Sequence, residues 1–94
     1  MRDTIRTLHP EKKQGVNISR EKYQVIRNAI LCVLQAQKQK EMTFMGLSRA
    51  VEKEVNGSFD GSVMWYVTTV KLDMEARGAI KRVQNSRPQL VKLA

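Results

Sequence analysis

The stretch DGSVMWYVTTVKLDMEARGAIKRVQNSRPQLVKL, residues 60–93, changes its periodicity at Gly78, and that change constrains the fold more than any other feature. Before it, Val63, Val67, Val70 and Met74 recur every three or four residues, the spacing of a helix with one apolar face. Glycine enters the left-handed conformation that closes a helix, where other residues lose about 1 kcal/mol or more. After it come β-prone Ile80 to Gln84, a turn at Asn85–Pro88, and β-prone Leu90 to Leu93. Asn85 tolerates a positive φ, and Pro88 is excluded from a paired ladder, so both belong in the turn. The pattern predicts a helix over about 62–77 that runs into a hairpin. Lys81, Arg82, Arg87 and Lys92 all fall in or beside that hairpin.

Upstream, the same reasoning predicts two more helices. Ser19 is a favourable N-cap, Glu21 suits the first turn, and Tyr23, Ile26, Ala29, Ile30, Val33 and Leu34 line one wide face. The polar run QAQKQKE ends that helix in solvent. Met42 to Phe44 reads as a brief strand able to pair with the terminal hairpin. A second helix over about 45–55 buries Leu47, Ala50, Val51 and Val55, and Asn56-Gly57 stops it. Asp60 is the predicted N-cap of the third helix. Residues 1–18 are polar and basic, broken by Pro10 and Gly15 and without an apolar period, so they read as a flexible basic arm. Residues 19–94 form the one domain that 94 residues can support.

The passage VKLDMEARGAIKRV, residues 70–83, resembles the junction between the third helix and the wing in winged helix-turn-helix proteins. There an apolar residue four before the glycine packs the core and one two after it opens the wing, and Met74 and Ile80 occupy those places. MTFMGLSRAV, residues 42–51, is similar to the strand-to-second-helix passage of the same superfamily, so the resemblance covers about residues 20–93. It implies a mainly α, α+β fold: three helices, a short strand after the first, and a C-terminal β-hairpin wing. The likeness is to small bacterial single-domain winged-helix proteins, many without an assigned function. What it implies about function is DNA binding and transcription regulation, although one scaffold hosts many activities.

Composition narrows the classes. The longest apolar run, AILCVL at 29–34, falls far short of the roughly 20 residues that span a bilayer, and no secretory leader is legible. With one cysteine, Cys32, within an apolar helix, a reducing cytoplasm is the expected compartment. No catalytic constellation, metal site or cofactor motif is present. His9 is the single histidine, and a solvated side chain before Pro10 explains it. Glu52 with Glu54, and Asp73 with Glu75, are two apart on helices and cannot share a face.

The net charge of +8 lies unevenly. Residues 1–22 and 23–40 each carry +3, residues 41–57 and 58–77 each carry −1, and residues 78–94 carry +4. Such an excess favours polyanionic partners. Two readings stay open. In the first, the wing cations Lys81, Arg82, Arg87 and Lys92 hold phosphates of nucleic acid, DNA in preference to RNA, with help from Arg2, Arg6, Lys12 and Lys13. Ser62, Thr68, Thr69 and Lys71 then lie nearest the groove. In the second, the hairpin charges only keep an edge soluble, and the third helix docks on a protein partner or a second copy. Its face opposite the core carries Trp65, Thr69, Leu72 and Ala76, so Trp65 and Leu72 become the anchors. A base-reading helix presents Arg, Lys, Asn or Gln outward, and this one is poor in them.

Overall fold

A computed structural model describes residues 3–9, 15–36, 41–55, 59, 61–83 and 90–93. Strand β1 spans Thr4–Arg6, β2 Asn17–Ser19 and helix α1 Arg20–Ala36. They are followed by β3 Glu41–Thr43, α2 Phe44–Glu54, α3 Val63–Ala76, β4 Ile80–Arg82 and β5 Leu90–Leu93. The result is an α+β fold of three helices and two small antiparallel sheets, β1-β2 and β3-β5-β4.

Each helix is held by the face its periodicity marks. α1 buries Tyr23, Ile26, Ala29, Ile30 and Leu34; α2 buries Leu47 and Val51; α3 buries Val67, Val70 and Met74. Val91 of the middle strand and Ile80 of β4 close the core from the sheet side. Burying each large aliphatic side chain contributes about 1.5–3 kcal/mol, so these rows decide which faces meet. The caps are local chemistry. Ser19 Oγ accepts from Lys22 N at 3.3 Å, Thr43 Oγ1 from Gly46 N at 2.9 Å, and Ser62 Oγ from Trp65 N at 3.2 Å. The third of these corrects the cap predicted at Asp60: Ser62 sits directly before Val63, where its hydroxyl reaches the third helical N–H.

α3 ends as its glycine predicts. Gly78 has φ 81°, its N–H bonds to Glu75 O at 3.2 Å, and Ala79 N–H reaches back to Met74 O at 2.9 Å. This paired closure uses two carbonyls the helix leaves without partners. It also turns the chain so that Ile80 enters the core and β4 pairs with β5. The predicted strand before α2 is present one residue earlier, at Glu41–Thr43, and pairs with β5 as expected. Phe44 instead opens α2, because Thr43 caps it. The turn at Asn85–Pro88 and the stop at Asn56-Gly57 lie outside the described residues.

The N-terminal segment departs from expectation. The described parts of the stretch read as a flexible arm form a β-ladder that pairs Thr4 with Ser19, Ile5 with Ile18 and Arg6 with Asn17. Ile18 and Thr7 are buried. Thr7 N–H donates to Val16 O at 2.8 Å, and Val16 N–H donates to Thr7 Oγ1 at 3.0 Å. Gly15 permits this approach, since a Cβ there would stand 1.7 Å from Thr7 O. Two isolated apolar residues, Ile5 and Ile18, on three-residue strands leave too short a pattern for periodicity to register.

Candidate nucleic-acid interface

In an antiparallel ladder, directly opposed residues point to the same side and neighbours alternate. Lys92 on β5 is opposed by Lys81 on β4 and by Glu41 on β3, so these three form one row on one side of the sheet. Val91, opposed by Arg82 and Met42, marks the other side, which faces the core. Lys81 is exposed and Lys92 half-buried between its neighbours; Arg82 is exposed at the free edge. The hairpin cations expected to act together are thus divided. Lys81 and Lys92 share the outer face, whereas Arg82 projects from the edge on the opposite side. Arg87 lies outside the described residues.

The candidates on α3 fare differently. Lys71, predicted near a groove, is 5% exposed. Its Nζ lies 3.2 Å from Glu75 Oε1 and 5.3 Å from the centre of the Phe44 ring. That corrects its role: one turn separates Lys71 from Glu75, and packing α2 against this flank covers both, so Lys71 structures the α2–α3 contact. Ser62 and Thr68 are exposed and Thr69 is half-buried. The Ser62 hydroxyl is engaged as a cap, and Thr68 Oγ1 donates to Met64 O at 2.9 Å. Leu72 is half-buried and Trp65 is 47% exposed. The outward strip of Met64, Trp65, Thr68, Thr69, Leu72 and Ala76 carries no charge. It offers base edges two hydroxyls and no long donor.

Asp73, which spacing arguments set aside, is the centre of the largest polar network among the described residues. Its carboxylate is fully buried. It accepts from Leu8 N–H at 2.8 Å, from the Tyr23 hydroxyl at 2.5 Å, and from Arg77 Nε at 2.9 Å. Burial first, then the hydrogen bond to Asp73 and its negative charge, keeps the proton on Tyr23 beyond the usual 10.0. The hydrogen bond to Asp73 raises Arg77 further above its ordinary value. Arg77 Nη2 also reaches Arg6 O at 3.5 Å, so residues 6–8 are clasped to the C-terminal end of α3. Two signals pointed to this node: an Asp and an Arg four apart on one helix, and a tyrosine on the apolar face of another whose hydroxyl needs a partner. Neither identifies the Leu8 amide.

At the other end of α3 the aromatic rings gather. Phe59 and Tyr66 meet edge-on with centres 5.0 Å apart, as do Tyr66 and Trp65 at 4.9 Å. The Lys22 ammonium lies 5.4 Å from the Tyr66 ring and 5.7 Å from Phe59. Trp65 and Tyr66 line a cleft of about 680 Å³ together with β1, β2 and the first turn of α1. At its rim Arg20 Nε holds Asp3 Oδ1 at 2.9 Å. Sequence reasoning singled out Trp65 but not this cleft, because the opposing wall comes from the segment read as an arm.

Among the described residues, no group of three or more His, Cys, Asp or Glu is placed to hold a metal ion, and no helix is long and apolar enough to cross a membrane. The profile of a family described as being of unknown function, DUF6958, matches residues 4–90, and the chain belongs to that family. No curated protein and no solved structure matches it.

Proposed function

We propose that this DUF6958 member is a winged-helix nucleic-acid-binding domain that holds the phosphate backbone through its C-terminal hairpin and leaves base sequence unread by α3. The element order α1, β3, α2, α3, β4, β5 supports the winged-helix reading, with the β1-β2 pair as an addition outside that plan. Duplex DNA is the first partner in view. The observation that carries the reading is the opposition of Lys81 and Lys92. Like charges at directly opposed positions destabilise a ladder. Glu41, on the far side of Lys92, offsets one lysine, and among the described residues no carboxylate is paired with Lys81. A phosphate oxygen across the pair converts that repulsion into two charge-assisted contacts. Arg82 at the edge supplies a further cation, and the net charge of +8 steers a polyanion toward the molecule.

Each phosphate neutralised adds about 0.9 to the slope of log K against log salt. Replacing Lys81 and Arg82 together with alanine should weaken binding to a labelled random duplex and flatten that slope by about 1–2 in a two-salt shift assay. Binding and slope both unchanged would remove the hairpin from the mechanism.

A second reading is favoured by one observation, the uncharged outward strip of α3. There the helix docks on a protein partner or on a second copy through Trp65 and Leu72. Sedimentation of Trp65→Ala separates the two: loss of self-association with the fold intact supports docking, and a parent protein that is already monomeric removes the homodimer.

A further inference from the structure

We infer that the cleft beside Trp65 receives an unpaired nucleobase of a bound strand, stacked on the indole, so that the protein engages single-stranded as well as duplex segments. This rests on the nucleic-acid reading above but uses a surface separate from the hairpin. The floor of the cleft is aromatic. Trp65 meets Tyr66 edge-on at 81°, an arrangement that leaves the indole a face for a guest, and the residue is 47% exposed. The rim is polar: Thr4, Asn17 and Ser19 line it without charge, and Asp3, Glu21 and Lys22 add charges of both signs. The volume of about 680 Å³ lies within the range of clefts that take small flat ligands, about 300–1,000 Å³.

The charges around the cleft select among guests. A cation would meet Lys22 as well as Glu21, and the Asp3 carboxylate is already held by Arg20. A free anion would meet Glu21 and gain little from Arg20, which already holds Asp3. An aliphatic side chain of a protein partner would cover the aromatic floor yet offer no hydrogen bond to Thr4 or Asn17 of the rim, which is unfavourable. A neutral flat ring with donors and acceptors along its edge satisfies both floor and rim. Its attached phosphate then lies beside Lys22, whose ammonium is fixed over two rings at the cleft wall. An aromatic platform with an adjacent cation is how proteins hold unpaired bases irrespective of sequence.

Trp65 is the chain's single tryptophan, so its emission reports the site directly. The full chain is titrated at low salt with an oligothymidylate single strand and, separately, with a blunt-ended duplex of two annealed DNA strands. The expected result is quenching of Trp65 by the single strand. Trp65→Ala should weaken single-strand binding about 5- to 150-fold, the range that stacking of one base supplies, with duplex binding unchanged. Trp65→Phe should keep most of the affinity. Far-UV spectra and melts matching the parent show that the variants fold, and the emission measurement on the parent needs no variant. Single-strand binding with unaltered emission, or equal affinity in Trp65→Ala, overturns the inference. So does loss of self-association in Trp65→Ala as its only effect, which would assign the surface to a second copy. Duplex binding together with no Trp65 response to the single strand removes the cleft alone, whereas no binding to either probe removes the nucleic-acid reading as well.

Discussion

Asp73 and Leu8 are 65 residues apart in the chain, yet the carboxylate of one caps the backbone amide of the other inside the fold. A buried carboxylate that loses its donors keeps its desolvation cost, so its partners matter more than their number suggests. Asp73→Ala leaves the Tyr23 hydroxyl, the Leu8 amide and Arg77 unmatched, and should lower unfolding free energy by about 3 kcal/mol in urea melts; the half-exposed Arg77 keeps the value at the low end. Tyr23 makes the same network sensitive to alkali. Its folded pKa is raised, so its contribution is complete below the unfolded value of about 10 and is lost as pH rises through the folded value. Urea melts between about pH 8 and about pH 11 should therefore show stability falling at the alkaline end, and Tyr23→Phe should flatten that fall. Lys71 teaches a related lesson. From spacing it is a surface lysine on the flank of a helix; only the docking of Phe44 and α2 makes it a buried partner of Glu75.

At the scale of elements, the closure of α3 and the hairpin beyond it were legible because both depend on local chemistry. Gly78 at φ 81° has open space where a Cβ would stand, so Gly78→Ala suffers backbone strain alone. That substitution should cost about 1–2 kcal/mol in thermal or chemical melts, and a larger loss would mean that the turn into β4 had shifted. The hairpin's charge pattern is a different matter. Alternation predicts that Lys81 and Arg82 face opposite sides, but the partner of Lys81 is fixed by strand register, which the turn expected from the sequence does not by itself set. Given the observed opposition, Lys81→Thr should stabilise the fold by about 0.2–1 kcal/mol while weakening duplex binding. A variant that loses stability and binds duplex as before would sever the like-charge pair from function.

Across the whole molecule, the N-terminal segment is the largest difference between expectation and structure. β1 runs beside the start of α1, where Arg20 N–H donates to Asp3 O at 3.0 Å, and residues 6–8 reach the end of α3. Deleting residues 1–9 strips the Leu8 donor from Asp73 and the strand partner from Ile18, and should cost at least about 2 kcal/mol in urea melts. A chain that melts unchanged after the deletion would show the segment to be dispensable, as a solvated arm is. Local residue patterns suffice for the three helices, the strand ahead of the second, the glycine closure and the basic hairpin. Those features follow from periodicity, capping and turn chemistry, each a matter of residues within one or two turns of one another. Long-range packing alone settles that Lys71 and Asp73 are buried, that Lys81 stands opposite Lys92, and that Trp65 borders a cleft. Burial and register are settled by segments distant in the chain meeting in space, and no local pattern encodes which segments those are.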